Sequence, residues 1–194
     1  MRLLTAWERE PGQAESMQFV PWQYIADWKC LACGLCCKAY TVVLNFQEWL
    51  NIVKNYGIET TFSGLGKLYL RKKSDGSCVF LYNLSGMNLC GLQYMKPIAC
   101  KLWPFKILTT PKYGHAHKAL YWFGGKNLYI YADSNCQGLI YGRPTWEFAT
   151  QTLKEFVEIA IGARKEQHKT TANIGLVQPI RLSEPFDIIK RFRL

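Results

Sequence analysis

Cys30-Leu31-Ala32-Cys33-Gly34-Leu35-Cys36-Cys37 packs four of the chain's eight cysteines into eight residues. The others, Cys78, Cys90, Cys100 and Cys136, are spread downstream. Thiols this close together either bind a soft metal or pair as disulfides. Disulfides fit the even count but require an oxidising compartment. Residues 1–29 contain no basic run followed by an apolar run and a small-residue cleavage site, because Trp7, Glu8, Arg9 and Glu10 interrupt any apolar stretch. Adjacent Cys36 and Cys37 are also hard to bridge to separate partners without strain. Metal ligation is the stronger reading, and it makes the fold one built around a thiolate centre.

The spacing narrows the metal. Structural zinc sites usually read as paired C-x2-C knuckles. Here Cys30, Cys33 and Cys36 follow one another at C-x2-C-x2-C, the three-cysteine run of bacterial-type ferredoxins, whose further ligand lies elsewhere beside a proline. Cys100, with Pro97 before it and Pro104 after it, is the candidate. The order is not C-x3-C-x2-C, so a radical-SAM reading has no support. Gly34 lets the backbone turn tightly around a cluster. Eight thiolates suffice for two four-cysteine sites. One centre with spare buried thiols is the alternative, since a lone cysteine such as Cys78 also serves as a small buried hydrophobe. Cys30, Cys33 and Cys36 are expected to share one centre, with Cys37 pointing to the other.

Four blocks resemble the CxxCxxCC family of zinc- or iron-chelating domains, also called the YkgJ-type cysteine cluster. The first is C-x2-C-G-x-C-C, matched by Cys30, Cys33, Gly34, Cys36 and Cys37. The second is G-x-C-x-F-L, matched by Gly76, Cys78, Phe80 and Leu81. The third is matched by Cys90, Leu92, Pro97, Cys100, Trp103 and Pro104, and the fourth, C-x-G, by Cys136 and Gly138. The resemblance spans residues 30–142 and implies metal ligation by all eight cysteines. Two positions depart from it: Lys96 replaces an arginine before the proline, and Gln93 stands where the family has tyrosine, with Tyr94 next. Arginine offers a planar fork and lysine a point charge. A related cluster in the flagellin lysine-N-methylase type makes a methylation-linked enzyme role a further, weaker implication.

Composition bounds the rest. The 194 residues are 49% apolar, enough for one cored domain with extensions. No apolar stretch approaches the roughly 20 residues that span a bilayer, and the expected location is cytoplasmic. The net charge is +10, and no Asp or Glu occurs from Gly76 to Ala132. Lys96, Lys101, Lys106, Lys112, Lys118 and Lys126 fall in that segment. Cations near a thiolate cluster stabilise it and raise its potential. They also suit an anionic partner such as RNA, or they form an ordinary basic surface.

The pattern predicts an α+β fold: a small single domain with a cysteine-ligated metal centre between short antiparallel strands and helices, and a long C-terminal helix. Residues 1–29 form an extension whose Trp7, Trp22 and Trp28 cover the domain, residues 30–142 the cysteine-cluster domain, and residues 143–194 a helix and basic tail. Strands are expected at 40–44, 67–73, 78–82, 105–110 and 117–123, with Gly124-Gly125 turning into 127–131. Asn45 is placed to cap a helix from Phe46 to Tyr56 that Gly57 closes and that buries Phe46, Trp49, Leu50 and Val53. Pro97 opens a short helix carrying Cys100. Pro144 and Thr145 begin the strongest helix, buried through Ala149, Leu153, Phe156, Val157, Ala160 and Ile161 and ended by Gly162. Residues 164–171 read as a linker and 184–191 as a last helix. His115 and His117 would share a strand face. Asp27 and Asp133, beside the cysteine segments, are candidate proton donors or supports for ligands.

No nucleophile elbow, phosphate loop or dinucleotide fingerprint occurs. The favoured function is therefore an iron–sulfur protein with a cubane 4Fe-4S cluster, acting in electron transfer or as an accessory subunit of a larger complex. The alternative is a structural Zn module contacting RNA or a protein assembly.

Overall fold

The computed structural model describes residues 19–169, together with the backbone of residues 7–9. The chain is a small α+β domain of short antiparallel strands and short helices. Its first sheet has the order β1 (Trp7–Arg9), β4 (Tyr40–Leu44), β6 (Lys67–Leu70), β5 (Thr61–Gly64), all neighbours antiparallel. Alternation explains β4: Tyr40, Val42 and Leu44 are buried and Thr41 and Val43 only partly so.

The second sheet is built on the longest strand, β11 (Lys126–Asp133). Along one edge of β11 lie β10 (Leu120–Phe123) and then β2 (Phe19–Pro21). Its other edge takes β9 (Phe105–Leu108). Two pairs complete the set: β3 (Ile25–Trp28) with β12 (Leu139–Tyr141), and β7 (Leu81–Leu84) with β8 (Met87–Cys90).

Five α-helices sit among these strands in the described residues: α1 (Leu35–Ala39), α2 (Phe46–Tyr56), α3 (Ile98–Leu102), α4 (Ala116–Ala119) and α5 (Leu153–Ala160). A π-helical turn, Phe148–Thr152, runs straight into α5. Thr145 Oγ1 accepts from Phe148 N at the start of this helical stretch, and Gly162, at φ 78°, turns the chain at its end. That is the long C-terminal helix the periodicity predicts. Leu153, Phe156 and Val157 have no exposed surface, whereas Ile161 is 36% exposed.

The buried side chains form two clusters. One gathers Trp28, Phe105, Phe148 and Phe156 between the β11 sheet and α5. Trp28 meets Phe105 and Phe156 edge-on, with centroids 5.7 and 5.2 Å apart. The other gathers Tyr40, Val42, Ile52, Leu81 and Leu92 between the β4 sheet, α2 and α3.

Several local expectations change. The N-terminal segment supplies β1, β2 and β3 to three different sheets, so it is structural and not merely a cover. Trp28 is core, Trp22 donates from Nε1 to Leu120 O, and the Trp7 side chain lies outside the described residues. In α2 the anchor is Ile52, and Phe46 is exposed. Cys78 forms only an isolated bridge with Lys72; the strand begins at Leu81 and pairs with β8 instead. His115 adopts φ 43° and caps α4, which carries His117, so no strand aligns the two. Residues 164–169 are a strap, not a free linker. Gln167 Nε2 donates to Lys101 O, and Glu155 Oε1 accepts from the amides of His168 and Lys169. The expected helix 184–191 and the basic end of the chain lie outside the described residues.

Candidate metal centre

All eight cysteines line one cavity of about 80 Å³. Several local devices deliver them. Cys30 and Cys33 sit on the loop that follows β3, which curls through two left-handed residues, Ala32 at φ 50° and Gly34 at φ 75°. Ala32 is the costlier of the two, since only glycine visits that region freely. Gly34 then starts α1, which carries Cys36 and Cys37.

Asn88 on β8 holds this loop from outside. Its amide donates to Ala32 O at 2.9 Å and its Nδ2 to Cys33 O at 3.1 Å. A Cβ on Gly34 would lie 2.9 Å from the Asn88 side chain, so glycine is required there for space as well as for φ. Cys78 N donates to Cys37 O at 2.8 Å, pinning the second cysteine segment to the first. Cys90 ends β8 and Cys100 lies on α3. Cys136 follows β11 in a turn closed by its amide on Asp133 O. Gly138 lets that turn press on the first loop, with Lys29 N donating to Gly138 O at 3.0 Å.

The walls are largely apolar: Leu31, Leu35, Val42, Leu70, Leu92 and Trp103 line the cavity beside the sulfurs. Burial raises the thiols of Cys30, Cys90, Cys100 and Cys136, and pushes Cys78 up to about 11. Cys36 and Cys37 have Sγ atoms 3.9 Å apart, and the hydrogen bond between them lowers Cys36 and raises Cys37. Clustered thiolates repel one another and resent burial, and a multivalent soft cation relieves both penalties at once. The donor set therefore fits a metal. It is not gathered on a point: among the described residues no three Cys, His, Asp or Glu side chains form a group able to hold a single ion.

The flanking aspartates differ in role. Asp133 is fully buried and accepts from Tyr40 Oη at 2.7 Å and from Asn135 N and Nδ2 at 2.9 Å each. Tyr40 itself lines the cavity, so Asp133 supports the site through Tyr40. Asp27 Oδ1 accepts from the neighbouring Trp28 amide at 2.8 Å. His115 and His117 are not in the cavity lining. Gln93, in the family's tyrosine position, buries its Oε1 with no hydrogen-bond partner among the described residues.

Sequence reasoning missed three residues that shape the site. Trp28 Nε1 donates to Cys136 Sγ at 3.4 Å, Asn88 clamps the first loop, and Tyr40 bridges to Asp133. Their only signal in sequence is adjacency to cysteine segments, which does not distinguish them from packing residues.

Residues 29–137 match a family model described as "CxxCxxCC: Putative zinc- or iron-chelating domain". No curated protein and no solved structure matches the chain.

Proposed function

The chain belongs to the CxxCxxCC family, and from that premise we propose that it binds a cubane 4Fe-4S iron–sulfur cluster through its cysteines and serves electron transfer or an accessory role in a larger complex. The observation that carries this reading is the convergence of all eight cysteines on one apolar-walled cavity. A mononuclear zinc site needs four donors about 2.3 Å from one point. A cluster core spreads its ligands over several metal atoms, which suits sulfurs that ring a cavity.

Cys30, Cys33 and Cys36 would supply three of the four ligands of one cubane from one loop and helix, with the fourth and the ligands of a second centre drawn from Cys37, Cys78, Cys90, Cys100 and Cys136. Bound there, a cluster supplies one-electron chemistry. The protein contributes the dry wall, the Trp28 hydrogen bond to Cys136, and the clamp of Asn88 on the first loop.

The test is metal and sulfide analysis of protein purified without oxygen, with an absorption spectrum. Iron with matching acid-labile sulfide and broad visible absorption is the expected result. Zinc without sulfide overturns the cluster. That outcome would favour the second reading, a zinc module contacting RNA or a protein assembly, which rests on exposed Lys112 and Lys126 in a segment lacking acids. RNA affinity falling steeply with salt would mark it.

A further inference from the structure

Among the described residues, Lys96 is the sole charged residue that lines the cysteine cavity. It precedes Pro97, the N-cap of α3, so the turn that delivers Cys100 also delivers this cation.

We propose that Lys96 is the charge that sets the reduction potential of the centre, by offsetting the negative charge of the thiolate-ligated cluster from the cavity wall. The proposal rests on the iron–sulfur reading above. Lys96 lines the same cavity as Cys30, Cys36, Cys90 and Cys100 and stands four residues before the last of them. Reduction adds one electron to a centre that is already anionic. A fixed cation beside it favours the reduced form, so removing the cation lowers the potential. Because Lys is a point charge on a flexible stem, its effect here is electrostatic and does not depend on a forked hydrogen-bond geometry.

The experiment compares the anaerobically purified wild type with Lys96→Gln and Lys96→Arg. Iron, sulfide and the midpoint potential are measured on each. The expected result is equal iron and sulfide in all three, a lowered potential in Lys96→Gln, and a potential near wild type in Lys96→Arg. The expected size is about tenfold in the reduced-to-oxidised ratio, ~59 mV for one electron. An unchanged potential in a fully loaded Lys96→Gln overturns the proposal and leaves the cluster reading intact. If Lys96→Gln loses the cluster while Lys96→Arg keeps it, the charge serves to retain the cluster and not to set its potential, and the proposal fails. If both variants lose it, shape and not charge is what Lys96 supplies, and the proposal fails. Wild type that contains zinc without sulfide removes the iron–sulfur reading itself, a distinct result.

Discussion

Gly138 shows how one missing carbon positions two cysteines. A Cβ at that position would stand 2.1 Å from Lys29 O, a backbone atom that cannot swing aside. Gly138→Ala is therefore expected to part the Cys136 turn from the Cys30 loop and to lower the metal content per chain, which metal analysis would read; wild-type content in a folded variant would refute it. The C-x-G spacing was legible in the sequence, but its cause was not, because the close approach joins backbones far apart in the chain. Lys106 illustrates a different residue-level effect. Its side chain is 7% exposed, with Nζ 4.4 Å from the Phe19 ring centroid and within hydrogen-bond reach of Tyr113 Oη. Burial, helped by Lys112, lowers its amine from 10.5 to about 8. Between those two values the folded chain binds fewer protons than the unfolded chain, so this group's contribution to stability rises with pH. Below pH 8 the penalty for the buried charge is fully present. Urea unfolding of wild type against Lys106→Met should show the wild type gaining on the variant between pH 8 and 10.5. A difference that stays flat across that window would show that the amine titrates normally.

Helix α2 carries the clearest element-scale link between fold and site. Asn45 Oδ1 accepts from Glu48 N and Glu48 Oε2 accepts from Asn45 N, each at 2.9 Å, a complete capping box. Glu48 Oε1 also accepts from Ile98 N at 2.7 Å, the first residue of the helix that bears Cys100. Asn45→Ala removes only the cap and is expected to cost about 1 kcal/mol with metal content unchanged. Glu48→Ala also leaves the partly buried Ile98 amide without its acceptor, a loss of about 1–3 kcal/mol, and should loosen Cys100. Denaturant midpoints and metal content, measured on both variants, separate the two effects; equal metal loss in both would mean that the bond to Ile98 does not matter. The helix and its cap were readable because their signals are local: Asn45, an apolar period and Gly57. The tie to Ile98 was not, because nothing in a sequence pairs residues 48 and 98. The same limit explains the misplaced strand at Cys78. Apolar residues run from Cys78 to Leu81, but the partner that decides pairing is β8, reached through the Ser85-Gly86 turn at φ 49° and 83°. His115 failed as a strand residue for a backbone reason, its left-handed φ, which its identity does not reveal.

Over the whole molecule, six of the eight cysteines flank the seam between the two buried clusters. Cys30 and Cys136 pack against the cluster of Trp28 and Phe156, while Cys37, Cys78, Cys90 and Cys100 pack against that of Tyr40 and Leu92. The fold class followed from periodicity, and the eight candidate residues from cysteine spacing together with the family resemblance. That two cores meet at one cavity did not, since sheet order is set by long-range pairing. A metal bound across this seam ties the two halves, so its binding free energy becomes folding free energy. At a thousandfold excess over the dissociation constant that linkage is worth about 4 kcal/mol. For a domain of this size each kcal/mol moves the melting temperature by roughly 2–4 °C, so stripping the metal should lower it by about 10 °C. The loss should also expose the loop around Cys30 and Cys33 to proteolysis, because hydrogen bonds such as those from Asn88 and from Lys29 N to Gly138 O would then hold it without the metal. Calorimetry and limited proteolysis before and after anaerobic treatment with a strong chelator would measure both. An unchanged melting temperature would mean that the two cores grip each other without the metal, through contacts such as the Tyr40–Asp133 bond that crosses from one cluster to the β11 sheet. Tyr40→Phe, which removes that crossing bond alone, would then be the variant with the larger loss.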